Sequence, residues 1–114
     1  MEPSVEKTGD WTIIPLPDQF NGGCLAAYIP IFEKLVAQKV PPKILFDFSA
    51  VRYLDSTGIG ALIHLYGDEK KKGGVLVCSG CSPNVIQIFK LVNLQRFIRK
   101  FPTREEAMKR AEEN

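Results

Sequence analysis

The stretch Val51-Arg52-Tyr53-Leu54-Asp55-Ser56-Thr57-Gly58-Ile59-Gly60 decides how this chain is read. An apolar run, Ile44-Leu45-Phe46-Asp47-Phe48, leads into it with the near-continuous hydrophobicity of a buried central strand. Out of it runs a predicted amphipathic helix over residues 57–71, in which Ile59, Leu62, Ile63 and Tyr66 fall on one core-facing stripe. The turn between them therefore sits at the carboxyl end of a strand and the amino end of a helix, where α/β proteins expose chemistry. It offers two adjacent hydroxyls, one carboxylate and two glycines, but no histidine, lysine or metal-ligand cluster. A hydroxyl held out at a helix start, with no base to activate it, reads as a group that is modified rather than one that catalyses. Ser56 is predicted to cap the helix, since its hydroxyl can accept from the free N–H groups there. Asp55 is predicted to shape the turn.

Working outward, residues 11–16 read as a strand near a sheet edge, because Pro15 cannot donate to a ladder. Val5 begins a partner strand, with Gly9-Asp10 as the turn. Residues 17–23 read as loop, and residues 25–40 as a helix that Pro30 either kinks or starts, stopped by Pro41-Pro42. Residues 68–72 are the solvated end of the helix that follows Ser56, where lysines suit the negative end of the dipole. Gly73-Gly74 turns the chain into a strand over residues 75–78. Ser82-Pro83 is a capped helix start, and that helix runs to about Val92 with Val85, Ile86, Phe89 and Val92 inward. Ile88 and Leu91 are apolar too, so the helix is either well covered or part of a binding surface. Residues 97–101 alternate as a short strand, and Thr103-Arg104-Glu105-Glu106 is a capping box for a last helix over residues 104–112. Strands separated by single helices predict an α/β fold with a mixed, mostly parallel sheet of roughly four to five strands and about four helices.

The 114 residues predict one domain, with residues 1–10 a flexible or edge-strand terminus. A net charge of +2 argues for neither nucleic acid nor an anionic membrane. No apolar run approaches the roughly 20 residues that span a bilayer. The first residues lack the apolar segment of a secretory signal, so the cytoplasm is the expected location. Cysteines number three, Cys24, Cys78 and Cys81, an odd count that speaks against a disulfide framework. Cys78-Ser79-Gly80-Cys81 has the spacing of a redox dithiol or of half a zinc site. Zinc would need further ligands, and only Cys24 and His64 remain, far off in sequence. The alternative is a small core residue ending a strand and a second cysteine in the following loop.

Catalysis is not expected, and no cofactor or metal is implied. The single histidine, His64, lies eight residues beyond Ser56 on the same helix, about 12 Å along its axis. No phosphate-cradling G-x-x-x-x-G-K-[ST] loop is present. Asp47 is expected to be a hydrogen-bonded structural carboxylate rather than the partner of Asp55 in acid–base work.

The apolar strand, Asp55-Ser56-Thr57-Gly58-Ile59-Gly60, the Gly73-Gly74 turn, the 75–78 strand, Ser82-Pro83 and Phe101-Pro102-Thr103-Arg104-Glu105-Glu106-Ala107 together resemble the STAS domain family, over about residues 11–108. The resemblance implies a stand-alone bacterial anti-sigma factor antagonist, a phosphoprotein of signal transduction and transcription regulation. Such a protein binds an anti-sigma factor that is also a serine kinase, is released on phosphorylation, and is reset by a serine phosphatase. It implies that Ser56 is the phosphoacceptor and that Asp55, Thr57, Gly58, Ile59, Gly60 and Asn21 form the phosphosite turn and partner surface. It further implies a monomer or weak dimer. Asp18 and Asn21 stand where many members have a glycine and an aspartate, a departure in the loop that helps engage the kinase. The other reading is a phosphorylation-independent STAS scaffold subunit of a lipid-transport or signalling complex.

Overall fold

The structure, a computed structural model, describes residues 3–40 and 42–111. Its main sheet has five strands: β1 (Glu6–Thr8), β2 (Trp11–Pro15), β4 (Lys43–Asp47), β6 (Val75–Ser79) and β7 (Arg99–Phe101), in the order β1-β2-β4-β6-β7. Only the β1–β2 pair is antiparallel, joined by Gly9 at φ +57°, a left-handed turn residue as the Gly9-Asp10 signal predicts. The pairs β2–β4, β4–β6 and β6–β7 are parallel. Pro15 ends β2, one strand in from the edge.

Side-chain alternation along the strands makes two apolar layers. Ile14, Ile44, Phe46, Leu76 and Cys78 join a core with residues of α1 (Gly22–Ala37), α2 (Ser56–Lys71) and α3 (Pro83–Leu91). Trp11, Ile13, Leu45, Val77 and Phe101 pack with Ala107 of α4 (Arg104–Arg110) on the other face. The first core is bound by ring contacts: Phe20 meets Tyr28 edge-on at 5.5 Å, Phe32 meets Phe46 at 5.8 Å, and Phe48 meets Phe89 at 5.6 Å.

Several expectations are corrected. α1 starts at Gly22, so Gly22-Gly23 is its first turn and not loop, and it ends at Ala37 rather than Val40. Pro41 lies outside the described residues, as does residue 112, the predicted end of the last helix; the described helix ends at Arg110. Pro30 sits inside α1 on its exposed side, where water can satisfy the carbonyl that proline leaves without a donor. Between β2 and α1 lies a two-residue strand, β3 (Gln19–Phe20), paired in parallel with β5 (Tyr53–Leu54); neither is signalled by periodicity. The buried side of α2 is Ile59, Leu62, Leu65 and Glu69, whereas Ile63 faces out. The supposedly solvated end of α2 thus contains a fully buried carboxylate. Glu69 is accommodated because Lys72 Nζ lies 3.2 Å from its Oε1. The same ammonium donates to the carbonyls of Leu35 at 2.8 Å and Val36 at 2.9 Å. It closes the carboxyl end of α1, whose last carbonyls have no helical donor. α3 stops at Leu91, and Val92 is exposed rather than inward, because Asn93 at φ 64° turns the chain away. A short 3-10 turn (Leu94–Arg96) follows, so β7 begins only at Arg99 and Phe97 is exposed.

Candidate functional site

The turn ahead of α2 is built around Asp55, which caps the helix in place of Ser56. Its backbone is extended (φ −101°, ψ 178°), and its Oδ1 accepts the Gly58 N–H at 2.9 Å. Its Oδ2 accepts the Gly22 N–H at 3.2 Å, at the start of α1. One carboxylate therefore ties the amino ends of two helices together. A full negative charge suits that position better than a hydroxyl does. The Gly58 N–H, helped by the Gly22 N–H, holds the Asp55 carboxyl below the ordinary aspartate range.

With Asp55 as cap, Ser56 becomes the first residue of α2. Ser56 and Thr57 are both exposed, and the Ser56 hydroxyl takes no part in the capping bonds of the turn. Gly58 is required by the fold: a Cβ there would lie 2.6 Å from the Phe20 carbonyl oxygen and 2.9 Å from Phe20 Cδ2. Gly60 is different, since a Cβ would meet nothing within 4 Å. Ile59 is only 8% exposed, so its side chain belongs to the core and does not face outward as a partner contact.

Asn21 is brought to the same place from far off in sequence. Its Oδ1 accepts the Cys24 N–H at 3.1 Å and its own N–H points to Cys24 Sγ at 3.4 Å, so its amide starts α1. Asp18 braces the loop before Ser56 through its carbonyl, which accepts from Arg52 N at 2.8 Å and Tyr53 N at 3.2 Å. The residues that the sequence reading missed are Gly22 and Phe20, which clamp the turn. An asparagine three residues before Cys24, followed by a helical apolar pattern, was the available signal for an N-cap. Tyr53 stands exposed beside the turn. On the flank, a groove of about 510 Å³ between α1 and α2 is lined by Leu25, Ile29, Phe32, Val36 and Leu65 among others.

The remaining candidates lie apart from this turn. His64 is exposed and its Nε2 sits 3.5 Å from Asp68 Oδ2 on the same helix. Asp47 accepts the Ser49 N–H at 2.9 Å and is bound by Arg104, whose Nε is 2.7 Å from Oδ2. Burial pushes its carboxyl up, but Ser49 and Arg104 together outweigh that and hold it below the ordinary range. Among the described residues, no three His, Cys, Asp or Glu side chains stand together as a metal site. No helix among them is long and apolar enough to cross a membrane.

The comparisons with known proteins agree with this fold. The sequence model of the STAS domain family matches residues 2–107. A protein from Thermotoga maritima superposes with a TM-score of 0.85 at 20% identity, over 96% of this chain and 93% of that chain. The Bacillus cell fate determinant SpoIIAA, in its phosphorylated form, superposes with a TM-score of 0.73 at 19% identity, over 95% of this chain and 97% of that one. An anti-sigma factor antagonist from Mycobacterium paratuberculosis gives a TM-score of 0.82 at 22% identity, over 96% of this chain and 92% of that one. At these identities the likeness is one of fold.

Proposed function

The chain belongs to the STAS domain family, and we propose that within it the protein is a regulatory binding module, an anti-sigma factor antagonist. On this reading it docks on an anti-sigma factor serine kinase, is released when Ser56 is phosphorylated, and is reset by a serine phosphatase. The observation that carries the proposal is the exposed Ser56 hydroxyl, left out of a turn that Asp55 and Gly58 hold rigid. A phosphate there carries about −1.5 to −2 charges at neutral pH. At the first residue of a helix that charge is locally favourable, so modification leaves the fold intact. It faces outward, and a partner surface complementary to a neutral hydroxyl then meets an uncompensated anion. The switch is one of surface charge, not of refolding. The docking surface consists of Tyr53, Ser56, Thr57 and Gly60, flanked by the Asn21–Gly22 start of α1. Gly60 contributes by its missing side chain, for which the fold itself has no use.

The test is intact mass spectrometry after incubation with ATP, Mg²⁺ and a candidate anti-sigma factor serine kinase. One phosphate is expected on the wild type and none on Ser56→Ala. The phosphorylated form should bind the kinase at least roughly a hundredfold more weakly. Its amide resonances should move only around the starts of α1 and α2. No phosphate despite measurable kinase binding would overturn the switch and favour the scaffold reading.

A further inference from the structure

The Cys78-Ser79-Gly80-Cys81 segment is not used by the function proposed above, and its geometry is distinctive. Cys78 lies in β6 and is fully buried; Cys81 directly precedes Ser82, the N-cap of α3, and is partly exposed. The two sulfurs are 3.9 Å apart. A disulfide needs about 2.05 Å, so the sulfurs, already in contact, must approach by about a further 1.9 Å to bond. The turn between them is held on both sides. The Phe48 N–H donates to the Ser79 carbonyl at 2.8 Å, and the Gly80 N–H donates to the Phe101 carbonyl at 3.1 Å. Gly80 is left-handed at φ +73°, and a Cβ there would press on Ser49 at 3.2 Å. The thiols are therefore preorganised by the backbone and not brought together by chance contact of flexible chains.

We propose that Cys78 and Cys81 form a reversible thiol–disulfide site that exchanges with low-molecular-weight disulfides. Their environments divide the labour. A hydrogen bond from Cys78, with Lys100 nearby, holds the Cys81 thiol below the ordinary range, while that same bond and burial push Cys78 up. Cys81, the sulfur that a small disulfide can reach, is the attacking thiolate, and the fully buried Cys78 is the resolving thiol. In the first step the Cys81 thiolate attacks one sulfur of the small disulfide, and the other half leaves as a thiolate. In the second, Cys78 gives up its proton and attacks the Cys81 sulfur, and the second half leaves as a thiolate that takes up that proton. Two protein thiols are oxidised to one disulfide, and one small disulfide is reduced to two thiols.

The experiment uses the full chain with Cys24→Ser, exposed to glutathione disulfide and weighed intact. The expected product is lighter by two hydrogens, carries no glutathione, maps to a Cys78–Cys81 link, and is reversed by dithiothreitol. Adding Cys78→Ser should trap one glutathione on Cys81. Adding Cys81→Ser should abolish reaction, since only the buried thiol remains. A protein that keeps its reduced mass, or retains glutathione without closing, overturns the proposal. So does a Cys81→Ser protein that reacts as fast as its parent. Cys81 is not fully buried, so this last comparison stands even if Cys78→Ser fails to fold.

Discussion

Alanine at position 58 and alanine at position 60 are the same chemical change, two residues apart in one helix, and they should have opposite effects. At Gly58 the new Cβ would stand 2.6 Å from the Phe20 carbonyl oxygen and 2.9 Å from its ring. An ordinary contact needs some 3.4 Å or more, so α2 or β3 must shift. The atom in the way is backbone, and the ring is 0% exposed, so neither can swing aside. Overpacking of this kind costs about 1–3 kcal/mol, and a rigid backbone obstacle places it near the upper end. Alanine's better helix propensity returns at most about 1 kcal/mol. The net expectation for Gly58→Ala is a loss of about 2 kcal/mol. At Gly60 nothing lies within 4 Å of the new atom, so only the propensity gain of about 0.5–1 kcal/mol remains. Urea unfolding of both variants, with the dependence on denaturant unchanged, measures the two shifts. A Gly58→Ala protein as stable as wild type, or two variants shifting in the same direction, would refute the account of the clamp between α2 and β3. If Gly60 is kept bare for a partner, Gly60→Ala should also bind the kinase more weakly while being the more stable protein.

Two further perturbations test the ion pairs that lock the fold. Asp47→Asn should cost roughly 2 kcal/mol at neutral pH, because it removes charge-assisted bonds to Arg104 and Ser49. Since the folded carboxyl titrates below its unfolded value of about 3.9, this contribution is fully present above that pH. It fades as the pH falls through the depressed folded value, so wild type and variant should converge in acid, as measured by unfolding across pH 2–7. Lys72→Met should cost about 3 kcal/mol by stranding the buried Glu69 and uncapping α1. Adding Glu69→Gln should recover part of that loss; a strictly additive double variant would show that the two are not coupled. Burial raises the Glu69 carboxyl even against Lys72, so wild type should lose some stability as pH rises from about 4.3 through the raised value, a slope that Glu69→Gln removes.

The frame of the fold was legible because local signals and tertiary needs agree there. The near-continuous apolar run around β4 demands burial on both faces, and Ser82-Pro83 announces α3 through capping and proline preference at once. What escaped depends on partners distant in sequence. The two-residue strands β3 and β5 exist only by pairing with each other across more than thirty residues. Glu69 looks solvated until the reach of Lys72 to the end of α1 is known. Between Asp55 and Ser56, adjacent and both competent to cap, the choice is consistent with the Gly22 N–H offering the carboxylate a second donor that a sequence window does not reveal.

Capping by Asp55 changes what a single substitution at Ser56 should do. Were Ser56 the cap, Ser56→Ala would strand an N–H and cost about 1 kcal/mol. With Asp55 holding the Gly58 and Gly22 N–H groups, Ser56 is an exposed first-turn residue, and Ser56→Ala should stay within about 0.5 kcal/mol of wild type. Asp55→Ala, by contrast, frees donors at the starts of both α1 and α2, so it should loosen the turn and lower stability. The difference matters for the proposed switch. In a phosphoacceptor that also capped its helix, the phosphate oxygens would have to take over the capping bonds, and release of a partner would be mixed with a change at the helix start. Here the structural and the chargeable roles fall on neighbouring residues. Thermal unfolding of Ser56→Ala and Asp55→Ala side by side decides the matter. Equal losses would return the cap to Ser56, and an unchanged Ser56→Ala beside a weakened Asp55→Ala would leave the serine free to report by charge alone.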